Sequence, residues 1–135
     1  MADTKAIEAV VGKFCECINA KDAGTLSGLF TEDAEFVNIF GMRMRGRVAI
    51  DAGHRAAFEK ALSGNRLGIK STEVKTPAPN VAICHASWTR DRLPDAPESA
   101  LPAGSGVLTM VLVDQGGTWR MAAVTNVQDA VTGKK

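Results

Sequence analysis

The spacing of the apolar residues changes near residue 67, and this change constrains the fold more than any other feature of the chain. Before it, apolar side chains recur every three to four residues, as in amphipathic helices. After it they alternate, and we expect strands at about 67–76, 80–92, 105–114 and 118–128. This order predicts an α+β fold in which helices pack on one face of a curved, mostly antiparallel sheet.

The pattern before residue 67 predicts helices at the start of the chain. Apolar residues recur at helical spacing from Ile7 to Ile18, and Asp3 stands at the position of an N-cap. Asp22 then stands where a short second helix would be capped, with an apolar face made by Leu26, Leu29 and Phe30. Two helices are therefore expected before the first strand.

A strand and a third helix are expected next. Residues 33–41 alternate as a strand does, and Gly41 and Gly46 bracket a turn or a short hairpin. Residues 47–63 then repeat the helical spacing. Near the other end of the chain, the sequence DQGG at 114–117 predicts a hairpin turn between the last two strands.

Length and composition indicate one globular domain over residues 1–135, since the chain is 45% hydrophobic and 23% charged. A net charge of +1 without a sustained basic stripe argues against nucleic-acid binding. No apolar run approaches the ~20 residues of a membrane span, and the N-terminus does not resemble a signal peptide. Cys15, Cys17 and Cys84 lack the spacing of a disulfide framework, which favours reduced thiols and a cytoplasmic location.

Asn38 is an unusual polar residue in an apolar pattern. Strand alternation places it on the same face as Phe36 and Phe40. In one interpretation, its amide satisfies the backbone of a turn or bulge. In the other, it is a polar group that faces a pocket.

The two histidines receive different interpretations. His54 lies within the apolar stripe of the third helix, between Ile50 and Phe58, so it is either a satisfied core residue or a proton-transfer group. Asp51 lies one turn earlier and could orient its ring. His85 is expected on a sheet face or at a subunit contact. The two histidines do not have the spacing of metal ligands, so no metal site is expected. The sequence also lacks a glycine-rich nucleotide-binding motif, so no cofactor is expected.

The strand at 105–114 is apolar on both faces. One face carries Val107, Thr109, Val111 and Val113, and the other carries Leu108, Met110 and Leu112. Helices on one side of a sheet cover only one of these faces. We therefore expect a homodimer that packs sheet on sheet, with Leu108, Met110 and Leu112 as its contact face.

Three residues of the later strands are candidates for a pocket wall. Trp88 and Trp119 are expected in the core or in a cavity wall, because exposing an indole is unfavourable. Asn126 faces the interior only if no bulge shifts the register of the last strand. Both orientations of Asn126 remain open at this point.

The chain resembles the nuclear transport factor 2-like superfamily in two segments of its first half, NAKDAGTLSGLFTEDAEFV at 19–37 and GRVAI at 46–50. Its later VAICHASW, GVLTMVLV and GGTWRMAAVTN segments resemble the SnoaL-like and SgcJ/EcaC-like branches. The resemblance implies a cone-shaped barrel with three helices on the concave face of the sheet, an enclosed pocket and a dimer. It does not decide the activity, since isomerases, dehydratases, polyketide cyclases and binding or assembly domains share this fold.

Matching the chain to the steroid-isomerase members of this group implies that their chemistry is lost. The position of the catalytic base falls on Asn38, that of the oxyanion tyrosine on Phe14, and that of the protonated aspartate on Thr109. Asn38 cannot accept a proton near neutral pH and Phe14 cannot donate a hydrogen bond. His54, which matches a pocket-facing position of the third helix, remains the one candidate for proton transfer.

These inferences predict a small-molecule ligand. The expected pocket residues are Phe14, Phe36, Asn38, Phe40, His54, Trp88, Thr109, Trp119 and Asn126. Apolar walls with a few amides and one imidazole suit a small, partly oxygenated organic molecule. One alternative is an enzyme of secondary metabolism, of the isomerase, dehydratase or cyclase type, with His54 as general acid or base. A second alternative is a dimeric assembly module without an open pocket.

Overall fold

The computed structural model describes residues 4–130 of the chain. Within them, three helices and six strands follow one another in the order α1 (Thr4–Ala20), α2 (Ala23–Ser27), β1 (Phe30–Val37), β2 (Arg43–Arg45), α3 (Arg47–Glu59), β3 (Asn65–Ala78), β4 (Val81–Arg92), β5 (Gly104–Gln115) and β6 (Thr118–Gln128). The predicted α+β class, with three helices and a mostly antiparallel sheet, is confirmed. None of the helices in this range is long and apolar enough to cross a bilayer.

The six strands form one mixed sheet in the order β2-β1-β6-β5-β4-β3. Strands β3 to β6 are an antiparallel meander, as predicted. The first strand, β1, pairs in parallel with the last, β6, so the two are neighbours within the sheet. The hairpin between β5 and β6 turns through Gly116 and Gly117 at φ +64° and +95°, which glycine adopts without strain.

The second and third helices begin where the sequence pattern predicts, but α2 ends before Leu29 and α3 ends at Glu59, short of the predicted residue 63. In α1 the apolar face, including Ile7, Val11 and Phe14, is buried against the sheet. Asp22 is the N-cap of α2, and its side chain accepts a hydrogen bond of 3.1 Å from the backbone N–H of Thr25. The predicted cap at Asp3 lies outside the described residues.

The strand predicted at 33–41 is displaced toward the N-terminus. It begins at Phe30, which is fully buried and pairs with β6 instead of extending the second helix. It ends at Val37, so Phe40 lies in the following turn, where it is 64% exposed. The prediction that Phe40 shares a strand face with Phe36 is therefore wrong.

The register of β6 is set by a bulge. Val111 of β5 pairs with Ala123 and Leu112 pairs with Met121, which leaves Ala122 unpaired. The extra residue lets Met121 and Val124 both be buried, although they are three positions apart. Asn126 follows two residues later on the same inner face, which settles the orientation that the sequence left open.

The face of β5 that was predicted to form the dimer contact is instead the face buried in the core. Leu108, Met110 and Leu112 are no more than 1% exposed, because they pack in the core beneath the helices. They cannot form a contact with a second chain, so that part of the prediction is wrong. The outward face carries the half-buried Val107, Thr109, Val111 and Val113.

Candidate ligand-binding cavity

A cavity of about 130 Å³ lies between α1, α3 and the inner face of the sheet. Its wall is mainly apolar and includes seven of the nine predicted residues, namely Phe14, Phe36, Asn38, Phe40, His54, Trp88 and Asn126. A mainly apolar site of this size matches a ligand of about one aromatic ring. Phe40 belongs to the wall yet is 64% exposed, which places it at the mouth of the cavity.

Two predicted pocket residues do not line this cavity. Thr109 lies on the outer face of the sheet, where it pairs with His85 on one side and Thr125 on the other. Thr109 therefore cannot take the pocket-facing position of the protonated aspartate, because neighbouring strand positions point to opposite faces. Trp119 lies near the far end of β6, half-buried against the core and away from the cavity wall.

The side chain of Asn38 is hydrogen-bonded to the backbone of the turn that follows β1. Its Oδ1 accepts hydrogen bonds from the N–H groups of Phe40 and Met42, at 2.9 and 3.0 Å, which holds the turn after β1. The structural interpretation of this residue is therefore correct. The side chain still reaches the cavity wall, and its amide nitrogen donates no hydrogen bond within residues 4–130. That nitrogen is the polar group it can offer a ligand.

His54 is 5% exposed and lies between two aromatic rings. Its ring meets Phe36 edge to face at 4.7 Å and lies 6.2 Å from Phe58, centroid to centroid. Nδ1 is 2.8 Å from the carbonyl oxygen of Ile50, which only accepts, so Nδ1 carries the hydrogen. In the neutral ring Nε2 then keeps its lone pair, and no described residue donates to it.

The orientation of His54 does not come from Asp51, as the sequence suggested. Asp51 accepts from Arg55 Nη2 at 2.8 Å and from Ser27 Oγ at 3.4 Å on the outer side of α3. Burial lowers the pKa of His54, and the Ile50 carbonyl and the more distant Asp51 charge oppose this only in part. The imidazole is therefore neutral at pH 7.

Trp88 and Asn126 are joined within the cavity wall. The indole Nε1–H donates a hydrogen bond of 2.7 Å to Asn126 Oδ1. The indole covers Gly106, where a Cβ would lie 2.5 Å from its Cζ2 atom and too close to the Val127 carbonyl oxygen. The bond to Trp88 fixes the amide, and its nitrogen remains as a donor.

Arg90 is a cavity residue that the sequence reasoning missed. It is only 5% exposed and lies two residues after Trp88 on the same face of β4. Nε donates to the Pro102 carbonyl oxygen at 2.9 Å and Nη2 donates to Gln128 Oε1 at 2.6 Å. The guanidinium carbon lies 5.3 Å from the Trp88 ring centroid, within the range of a cation–π contact. The detectable signal was a charged residue at an inward position of an alternating strand.

The cavity offers few groups for chemistry. Among the described residues that line it there is no aspartate, glutamate, serine, tyrosine or cysteine. Among the described wall residues, His54 is therefore the one whose side chain could exchange a proton near neutral pH, and no carboxylate, hydroxyl or thiol of the wall converges on it. Within residues 4–130, no group of three or more His, Cys, Asp or Glu side chains is placed to hold a metal ion.

Comparison with known families and structures gives consistent results. The family model for the SnoaL-like domain matches residues 1–125. An uncharacterised protein with a cystatin-like fold from Caulobacter vibrioides is 26% identical, with a TM-score of 0.84 over 94% of this chain and 89% of that one. No curated protein sequence matches.

More distant structures share the fold alone. A nuclear transport factor 2-like protein with a cystatin-like fold from Novosphingobium aromaticivorans is 19% identical, with a TM-score of 0.77 over 97% of this chain and 85% of that one. A ketosteroid isomerase-like protein from Erwinia carotovora is 15% identical, with a TM-score of 0.77 over 94% of this chain and 96% of that one. At this identity, neither carries a function to the present chain.

Proposed function

The chain belongs to the SnoaL-like domain family, and we propose that it binds a small apolar, partly oxygenated organic molecule in the cavity between its helices and its sheet. The observation that carries this proposal is an apolar cavity whose few polar groups keep unused hydrogen-bonding capacity. These are the acceptor Nε2 of His54 and the amide nitrogens of Asn38 and Asn126. An apolar cavity with a few polar groups available for hydrogen bonds is typical of a small-molecule site.

The walls oppose steroid-isomerase chemistry. That reaction needs a base to remove a proton and donors that stabilise the oxyanion formed. By the family resemblance the position of the base falls on Asn38, whose Oδ1 is held by a turn, and that of the oxyanion donor falls on Phe14, which cannot donate a hydrogen bond. Binding without that reaction fits the residues present.

An enzymatic role is the second candidate, and His54 supports it. The ring has a fixed tautomer and a free Nε2, and burial keeps it neutral, so it could accept a proton from a bound substrate. It would serve an isomerase, dehydratase or cyclase type of reaction. We rank this role below binding because the wall supplies no second acid, base or nucleophile.

The binding proposal is tested by filling the cavity. Ala57 lines it, whereas the adjacent Ala56 is exposed on the outer side of α3, so Ala57→Phe and Ala56→Phe form a matched pair. Acetophenone and benzyl alcohol are titrated while the two indole N–H signals are followed by NMR. We expect saturable binding with a Kd of about 1 mM or below in the unmodified protein.

The two variants show whether the compounds bind in the cavity. Binding should persist in Ala56→Phe and disappear in Ala57→Phe while both variants keep the native circular dichroism. Equal binding by the two variants would place the ligand elsewhere. If neither compound binds the unmodified protein, the assembly role becomes the better interpretation.

The enzymatic alternative has its own test. His54→Gln keeps a polar group of similar size but cannot serve as a general base near neutral pH. Ligands that bind are incubated with the protein and followed by NMR for conversion. Turnover that survives this substitution, with binding retained, would remove the general-base role.

Three further properties of the chain are proposed. A homodimer is proposed through the outward face of the sheet, because β5 is apolar on that face as well as on the face that packs in the core. A cytoplasmic location is proposed because Cys15, Cys17 and Cys84 are free thiols. Membership of the SgcJ/EcaC-like branch is proposed from the sequence segments alone.

A further inference from the structure

We propose that the ligand of the cavity carries a carboxylate and that Arg90 binds it. The inference rests on the proposed small-molecule binding and assigns the chemical class of the ligand. Arg90 is the cation in the described part of the cavity wall, where the other polar residues are Asn38, His54 and Asn126. A carboxylate on the ligand would be the counter-ion that the protein itself does not supply.

The charge of Arg90 is buried without an anionic partner. The side chain is 5% exposed, and within residues 4–130 its hydrogen-bond acceptors are both neutral, the Pro102 carbonyl and the Gln128 amide oxygen. The ion pairs of this range use other residues, namely Lys13 with Glu16, Arg43 with Glu35 and Arg55 with Asp51. A buried unpaired cation is unfavourable, and burial accordingly lowers the pKa of this guanidinium.

The hydrogen-bond donors of Arg90 are only partly used. A guanidinium has five N–H groups in one plane. One at Nε and one at Nη2 are engaged, and Nη1 donates to no described residue. The two engaged groups hold the guanidinium plane in place, so a ligand would meet a pre-oriented cation rather than a mobile side chain.

A structural role for Arg90 does not explain its charge. Its two hydrogen bonds join the loop before β5 to the end of β6, and its plane lies over Trp88. A neutral donor would make the same two bonds without burying a charge. The geometry also makes room for a guanidinium, since a Cβ at Gly104 would lie 3.0 Å from Nη2.

The chemistry of the cavity favours a carboxylate over a larger anion. Guanidinium and carboxylate are planar and pair through parallel hydrogen bonds. A phosphate carries up to two negative charges, whereas the described wall supplies a single cation, Arg90. With about 130 Å³ of mostly apolar space, the ligand would be a carboxylic acid with one ring or a short hydrocarbon chain.

The test compares three one-ring probes of similar size: benzoate, benzamide and toluene. At pH 7 the first is anionic, the second is neutral and polar, and the third is apolar. Trp88 contacts Arg90 and lines the cavity, so its indole N–H signal, assigned with Trp119→Phe, reports binding. We expect benzoate to bind about tenfold or more tightly than benzamide.

Variants of Arg90 test the cause of this preference. Arg90→Met removes the charge and keeps much of the volume, Arg90→Lys keeps the charge, and Arg92→Met removes an exposed arginine of the same strand. The preference for benzoate should vanish in Arg90→Met, persist at least in part in Arg90→Lys and remain unchanged in Arg92→Met. Since the comparison of probes is made in the unmodified protein, it stands even if a variant fails to fold.

The outcomes separate this inference from the proposed function. If benzamide and toluene bind and benzoate binds no better, the carboxylate assignment is wrong and small-molecule binding stands. If the preference for benzoate survives in folded Arg90→Met, the anion is held by another group and the role of Arg90 is wrong. If none of the three probes moves the Trp88 signal, both the carboxylate assignment and the proposed function are overturned.

Discussion

Trp88 donates its indole N–H to Asn126 Oδ1 at 2.7 Å, so a bond between side chains of β4 and β6 crosses the strand that separates them. The crossing is possible because the strand between them carries Gly106, which has no side chain to displace the indole. The bond places Trp88 and Asn126 in one wall of the cavity. The bond therefore fixes the relative position of these two side chains in the wall.

Removing the acceptor should destabilise the protein. In Asn126→Ala, the buried indole N–H loses its partner, and we expect a loss of about 1–3 kcal/mol in the free energy of unfolding. Urea denaturation measures this loss. Thr125→Ala is the control, because that side chain is exposed, and it should stay within about 0.5 kcal/mol. Equal stability of Asn126→Ala and the unmodified protein would show that the bond contributes little.

The stability of the fold should depend on glycine at position 106 but not on glycine at position 12. A Cβ at Gly106 would lie 2.5 Å from Trp88 Cζ2, so Gly106→Ala should lower the free energy of unfolding by about 1–3 kcal/mol and shift the Trp88 indole signal. Gly12 lies on the exposed face of α1, where an added methyl group would meet no atom within 4 Å. Gly12→Ala should therefore raise stability by about 0.5–1 kcal/mol. Changes of the same sign would contradict the packing described.

Periodicity predicted the features that depend on local sequence. The buried face of α1, the cap at Asp22 and the hairpin at Gly116 and Gly117 follow from the spacing and chemistry of a few neighbouring residues. The parallel pairing of β1 with β6 joins segments about 90 residues apart and has no local signal. For this reason the sequence predicted the fold class more fully than the order of the strands.

The errors at the site have specific causes. Thr109 was assigned by resemblance, and a resemblance does not fix strand register closely enough to say which face a residue takes. Phe40 was assigned by alternation continued past the end of β1, although Asn38 begins a turn there. Asn126 could not be placed without the bulge at Ala122. Arg90 was missed even though strand alternation puts it on the inner face with Trp88.

Burial of His54 predicts a loss of stability in acid. Burial lowers its pKa in the folded protein below the ordinary value of about 6.5, so the unfolded chain binds this proton more readily. The stabilising contribution is fully present above pH of about 6.5 and is lost as the pH falls toward the lower folded-state value, by up to about 1.4 kcal/mol per pH unit. Urea denaturation between pH 7.5 and pH 5.5, two values chosen on either side of about 6.5, measures the slope.

Two variants isolate the contribution of His54 to that slope. His54→Gln should flatten the dependence of stability on pH, because the titrating group is gone. His85→Gln, which changes an exposed histidine on the outer face of the sheet, is the control variant with which the slope of His54→Gln is compared. Should His54→Gln and the unmodified protein show the same slope, the acid sensitivity comes from other groups.

The outward face of β5 should form the contact between two copies of the chain. Val107, Val111 and Val113 lie there half-buried, next to Ile83 of β4, and a charge at this surface would have to be desolvated on association. Val111→Glu should therefore convert a dimer into a monomer without unfolding it. Light scattering coupled to size-exclusion chromatography at micromolar concentration measures the mass.

Val48→Glu is the control for this prediction. It introduces the same charge at a position of α3 that is 85% exposed, and it should leave the dimer intact. A monomeric mass for the unmodified protein would rule out the homodimer, whereas a dimeric Val111→Glu would move the contact to another surface.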